Sequence, residues 1–384
     1  MPKRINTIEE AERLFPSFKN AWFLYKLFVV LEEYTQACVK YEFFISIVGL
    51  TFTLFHLYIL TRKGMMTSSI FSIMIGIGIC DATSTMIAIY VEHIIEQLYG
   101  DECTPPVSLF ILRCYWILNA LRQTVIRSSL WLGVLMALIR YLSLKFVTRP
   151  KFQRMLRISY GFYATGISFV LSSVLSTLNF VKTKAVEYGF WSPSEKCDVQ
   201  IENGSTLVIY GLRDSDVFSA NNGFYLRIFT LVNSISSKLL PCILFPVVTI
   251  LLITEIHEAK KKVLTSSLTM YYLFFCCLKF RVSKFSSAER TTSLVIFMAI
   301  TFFIASFPAG VFTFFSVMNT DIGFWSLSVL VDHFCNAILT TNASIHCVIC
   351  FIMSSNYRNV VRDILRIRLK RQISHSISRN ITQI

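Results

Sequence analysis

The chain has 384 residues, 54% of them apolar and only 16% charged, with a mean hydropathy of +0.57. A soluble domain carries about 25% charged residues, so a water-soluble fold is excluded, whereas each helical crossing of a bilayer uses about 20 mostly apolar residues. The formal net charge of +14 does not indicate a nucleic-acid binder. The basic residues gather at the ends of apolar segments, not on an amphipathic soluble face.

Taken in chain order, residues 1–40 are expected to form an extracellular segment. Its apolar run 20–31 is broken by Lys26, is too short to span and has no small-residue cleavage site. Seven segments are long and apolar enough to cross, near 42–61, 69–91, 107–139, 155–179, 224–254, 292–317 and 327–352. With no water in hydrocarbon to satisfy the backbone, they must be helices. The expected class is an all-α membrane protein, a seven-helix bundle over 41–353 followed by a cytoplasmic amphipathic surface helix and tail over 354–384.

The second segment carries Asp81 in mid-span, and an intramembrane carboxylate marks a functional site by default. The third carries Arg113, Arg122 and Arg127. Arg122, Ser129 and Arg140 recur at helical spacing and share one face. Gln123, Arg127, Lys238, Asp332 and His333 are further pocket candidates, with Asp332 placed to pair with Arg122 or to meet a ligand. The loop 180–223 holds Cys197 and the glycosylation sequon Asn203-Gly204-Ser205. Cys103 and Cys197 both sit in polar sequence that suits a disulfide in an oxidising compartment. Pro241 and Pro246 in the fifth segment and Pro308 in the sixth remove backbone donors and kink helices.

Residues 264–280 place an apolar run inside a basic loop. It extends a neighbouring helix, lies on the membrane surface or reflects an imperfect gene model. In the tail, Val360, Ile364 and Leu369 fall on one side and basic residues elsewhere, as in a helix lying on an anionic inner leaflet. The four loops 62–68, 140–157, 255–290 and the tail hold twenty-two Lys and Arg, while 92–106 and 318–326 hold none. That asymmetry predicts a plasma-membrane protein with its N-terminus outside and its C-terminus inside.

No HExxH, Gly-rich phosphate loop or Gly-x-Ser-x-Gly occurs, and the six His have no metal-site spacing, so neither an enzyme nor a metal site is expected. A transporter would show paired repeats and matched broken helices. No internal repeat is visible.

Four stretches carry a resemblance to the rhodopsin-like G-protein-coupled receptors, in particular the nematode class W serpentine receptors, relatives of FMRFamide-like neuropeptide receptors. They are WLGVLMALIRYLSLKF (131–146), LPCILFPVVTILLITEI (240–256), TFFIASFPAG (301–310) and NASIHCVICFIMSSNYR (342–358). The resemblance implies a G-protein-coupling role for Arg140 and Tyr141, in a motif that here reads Ile139-Arg140-Tyr141 and lacks the acidic neighbour. It implies a polar pocket of Asp81, Ser129 and Asn342, with a sodium ion near Asp81 as the only cofactor. Pro241 and Pro308 match the switch prolines. Thr53, Thr249 and Ser306 stand where other residues are usual, and the seventh helix reads Asn342-Ala343-Ser344-Ile345-His346. The family also joins the second outer loop to the top of the third helix. Cys103 resembles the class W partner for Cys197, and Cys114 lies closer to the usual distance from Arg140. The implied partners are an extracellular peptide or small environmental molecule, a heterotrimeric G protein and the bilayer.

Overall fold

A computed structural model describes residues 8–98, 103–147, 149–192, 207–269, 275–319 and 321–366. Helix α1 (Ile8–Leu14) leads into α2 (Ala21–Leu60), followed by α3 (Ser69–Leu98), α4 (Leu109–Lys145), the short α5 (Pro150–Arg154) and α6 (Ile158–Val181). Strands β1 (Thr183–Trp191) and β2 (Leu207–Asp214) come next. Then follow α7 (Asp216–Ser234), a π turn (Ile235–Leu239), α8 (Leu240–Thr269), α9 (Phe275–Met318) and α10 (Ile322–Met353). Residues 355–366 form a last helix, α11. Among the described residues, seven helices are long and apolar enough to cross a membrane: α2, α3, α4, α6, the continuous α7–α8, α9 and α10.

The first spanning helix starts at Ala21, twenty-one residues before the expected start at 42. Residues 32–41 contain no proline or glycine, so nothing stops the run at 20–31 from continuing into the span. At about 1.5 Å per residue the 40-residue helix is about 60 Å long. Its first turns are buried by a partner the sequence could not reveal. Ala21 and Tyr25 join Ala11, Phe15 and Phe324 in a small apolar cluster. Phe15 and Phe324 meet edge to face at 5.4 Å, and Asp321 accepts from Ser17 N (3.1 Å) and Ser17 Oγ (2.8 Å).

The main core centres on Leu132, Met136 and Ala137 of α4, with Ile73 and Ile77 of α3, Leu252 of α8, Phe302 of α9 and Cys347 of α10. Lipid is as apolar as these side chains, so association relies on close packing and interhelical hydrogen bonds. Small residues permit it. A Cβ on Gly49 would lie 2.0 Å from Ser344 Oγ, which is how closely α2 approaches α10.

The fifth helix is wound around its proline. Leu240 N donates to Ile235 O across the π turn. The next such bond would need an N–H from residue 241, which is proline and has none. The orphaned Ser236 carbonyl instead accepts from Trp131 Nε1 at 3.0 Å.

The region read as loop 180–223 contains an antiparallel hairpin, β1 against β2. Ser215 N donates to Lys182 O at its base (2.7 Å). Lys184 Nζ contacts both carboxylate oxygens of Asp216 at 2.8 and 2.7 Å, which holds the Asp216 carboxyl below its usual range. Of the alternatives for 264–280, helix extension describes both ends, since α8 runs to Thr269 and α9 starts at Phe275. In α11, Tyr357 and Val361 are buried, Val360 and Ile364 pack half-buried beside them, and Leu369 lies outside the described residues.

Candidate functional site

A cavity of about 220 Å³ opens between α2, α3, α4 and α10, with Glu42, Arg122, Gln123, Asp332, His333 and Asn336 in its wall. A smaller one of about 20 Å³, lined in part by Gln123, Arg127, Lys238 and Asp332, adjoins it. The structure therefore brings all six predicted pocket residues together, but pairs them differently from the sequence expectation. Arg122 Nη2 donates to Glu42 Oε1, not to Asp332. Thr340 Oγ1 donates to the same Glu42 oxygen at 3.0 Å. Asp332 Oδ1 instead accepts from Lys238 Nζ at 2.5 Å.

The two ion pairs differ in setting. The Arg122 and Glu42 side chains are each 8% exposed, and those of Lys238 and Asp332 are 20% and 35% exposed. The first is a sealed tie between the first, third and seventh helices. The second bridges the fifth and seventh helices beside the cavity. Glu42 was missed because the first span was taken to begin there, as though this carboxylate sat at an edge. An acid followed by an uninterrupted apolar run was the available signal.

Arg127 is a pocket candidate whose guanidinium is already committed. Its Nε donates to Ser237 Oγ (2.6 Å), its Nη1 to Ser172 O (2.8 Å) and Ser176 Oγ (3.1 Å), and its Nη2 to Asn233 Oδ1 (2.9 Å). It clamps α4 to α6 and to the π turn that carries Lys238.

Deeper in the bundle, Ser129 Oγ donates to Asp81 Oδ1 at 3.2 Å. His346 Nδ1 lies 3.1 Å from Asp81 Oδ2, off the direction of a hydrogen bond. Asn342 Nδ2 lies 3.3 Å from His346 Nε2. His346 therefore lies between the Asp81 carboxylate and the Asn342 amide. The three predicted pocket residues thus come together, and His346, one helical turn after Asn342, is a fourth member that sequence reasoning noted only as a motif departure. A cavity of about 20 Å³ is bounded by Asp81, Ser84, Ser129, Asn336 and Asn342. Among the described residues, Asp81 Oδ2 and Asn342 Oδ1 have no hydrogen-bond partner. Hard oxygen atoms around room for one small sphere fit sodium.

At the far end of α4, Ile139 is buried in the core where an acid is usual. Among the described residues no carboxylate pairs with Arg140, and its Nε is a buried donor without a partner. Tyr141 Oη contacts Lys145 Nζ at 2.6 Å. Pro308 lies inside α9, and Pro241 is the second residue of α8, just beyond the π turn. The hydroxyls of Thr53 and Thr249, two of the positions that depart from the family pattern, are buried without partners among the described residues, and Ser306, a third, is buried beside Cys242. Cys114 is a free thiol, whereas Cys103 is disulfide-bonded. Cys197 and Asn203 lie outside the described residues.

Seven apolar helices, a polar cavity at one end of the third helix and a lone arginine at the other define a seven-transmembrane receptor of the G-protein-coupled class, a multi-pass membrane protein. Residues 40–368 match the family described as "Serpentine type 7TM GPCR chemoreceptor Srw", and the chain belongs to that family. It is also 25% identical over 265 residues to "G-protein coupled receptor dmsr-1" of Caenorhabditis elegans, a match covering 67% of this chain and 51% of that protein. The chain thus spans about half the length of this curated relative.

Proposed function

We propose that this receptor answers a short extracellular peptide of the FMRFamide-like class and activates a heterotrimeric G protein through the face around Arg140 and Tyr141. The observation that carries the reading is the partly exposed Lys238–Asp332 pair beside the 220 Å³ cavity. A charged or amide-bearing residue can exchange into such a pair, whereas a purely apolar ligand gains nothing from it. Gln123 and His333 line the wall around it. The ligand shifts an existing equilibrium only by its differential affinity for the active arrangement. Exchange at Asp332 supplies that difference, because it alters the bond between the fifth and seventh helices.

In the resting state Asp81, Ser129 and Asn342 hold a sodium ion, which supplies a positive charge against Asp81. Cys103 pairs with Cys197 and holds the hairpin over the cavity, and Asn203 carries a glycan. The N-terminus is extracellular, and α11 rests on the inner leaflet with Arg362 and Arg366 toward its anionic lipids.

A second reading is a receptor for a small environmental chemical. The cavity favours it, since about 220 Å³ is below the usual 300–1,000 Å³ of ligand pockets. The deciding experiment expresses the chain with a G-protein activation reporter and applies a library of amidated neuropeptides, then a panel of volatile and water-soluble small molecules. Activation by a peptide, lost in Asp332→Ala, is expected. Silence to every peptide with a response to small molecules establishes the second reading.

A further inference from the structure

The outer cavity, the small cavity beside Lys238 and the Asp81 pocket share one side chain, Asn336 of α10. Among the described residues, Asn336 is the one residue common to the walls of the outer cavity and the Asp81 pocket. Gln123 borders only the outer cavity and the one beside Lys238. The turns of α10 on either side of Asn336 are already committed. Asp332, one turn before it on the same face, accepts from Lys238, and Thr340, one turn after it, donates to Glu42. The Asn336 carboxamide is half-buried, and among the described residues it makes no hydrogen bond. Such a group, with two donors and an acceptor, is costly to leave unused inside a bundle.

A carboxamide is two-sided. Its oxygen and its NH2 lie on opposite branches of one planar group, so turning one toward the outer cavity turns the other toward Asp81. With the oxygen inward, it adds a third hard atom to Asp81 Oδ2 and Asn342 Oδ1, neither of which has a hydrogen-bond partner among the described residues. Three such oxygens suit a small cation. With the NH2 inward, its N–H groups suit those same two acceptors and repel a cation. The oxygen then faces the outer cavity and accepts from an ammonium, a guanidinium or an amide N–H. Asp332, one turn away and 35% exposed at its side chain, draws the same chemistry.

We propose that Asn336 is a positioning residue with two settings, and that a donor group of the extracellular ligand, by turning the Asn336 oxygen outward, takes a contact away from the cation at Asp81. The inference rests on the sodium reading of the Asp81 pocket. Each setting satisfies the amide, and each site biases the choice between them. By reciprocity, the cation weakens the donor ligand by the factor through which the ligand weakens the cation. A ligand group that only accepts, such as a carboxylate, meets the NH2 instead and binds together with the cation.

The test follows the unfolding midpoint of the full-length receptor in phosphatidylcholine nanodiscs as sodium replaces choline at constant ionic strength, with and without agmatine, a small guanidinium donor. In the wild type, sodium is expected to raise the midpoint, and agmatine to raise the sodium needed for half that effect about fivefold. The near-isosteric Asn336→Leu is expected to need roughly tenfold more sodium than the wild type and to lose the agmatine dependence. Asp81→Asn is expected to lose the sodium effect altogether. A sodium response in the wild type that ignores agmatine overturns the proposal, and it needs no variant, so it decides the matter should Asn336→Leu not fold. Unaltered competition in Asn336→Leu overturns it as well. A sodium effect that Asp81→Asn abolishes and Asn336→Leu leaves whole removes only the role of Asn336, whereas no sodium effect in the wild type removes the sodium reading with it.

Discussion

Replacing Glu42 by alanine leaves the Arg122 guanidinium buried with the carboxylate it pairs with gone. Breaking a buried pair by removing one member costs about 3–5 kcal/mol. Glu42→Ala should therefore lower the stability of the purified receptor by that order in a thermal-unfolding assay. Arg122→Met in the same chain should recover much of the loss, because the remaining charge is then gone too. If Glu42→Ala unfolds at the wild-type temperature, the sealed tie is not structural. At the opposite end of α4, Arg140 has no carboxylate among the described residues to hold it and no partner for Nε. Arg140→Ala should then leave folding and surface expression intact while abolishing G-protein activation, read by a surface label and a signalling reporter on the same cells. Retained signalling would remove Arg140 from the mechanism.

The fifth helix depends on side chains of its neighbours for its local winding. Arg127 makes four hydrogen bonds to α6 and around the π turn, and Trp131 takes the carbonyl freed by Pro241. Hydrogen bonds to charged groups are worth about 1.5–3 kcal/mol each, so Arg127→Met should be among the more destabilising single changes. Amide exchange should rise over residues 233–241 before it rises elsewhere. Unchanged protection there would show that the π turn stands without its clamp. The hairpin has a weaker, titratable tie. Lys184 holds the folded Asp216 carboxyl below its unfolded value. The contribution is therefore complete above the unfolded carboxylate range and lost as pH falls through the lowered folded value. Hairpin amides should stay equally protected from neutral pH down to that range and open only below it. The apolar runs made the spanning helices legible, because lipid imposes length and hydropathy on each one. Neither the extension of α2 nor the strands had such a signature. The first depends on Phe324, three hundred residues away, and the second on β1 and β2 finding each other across a long connection.

For the whole molecule, the charge asymmetry makes a prediction about orientation. An epitope at the N-terminus should stain on intact cells, and one at the C-terminus only after permeabilisation. Both ends on one side would end the receptor reading. At this scale, too, the site was partly readable. Helical spacing put Arg122, Ser129 and Arg140 on one face, and the pocket residues duly converge. The partners of Arg122 and Asp332 were not readable, since spacing within a helix says nothing about the height at which another helix passes. Glu42 and Lys238 decide the pairing, and both belong to helices whose ends or winding depart from the regular pattern.

The contact of Ser17 with Asp321 joins positions 304 apart in the chain. The segment ahead of the first crossing therefore works as a buckle, engaging only after six crossings have been made and the start of the seventh has emerged. Trimming it or fusing a bulky tag close to Phe15 would leave the finished bundle unfastened, with Phe324 bared to water at the rim between the first and last helices.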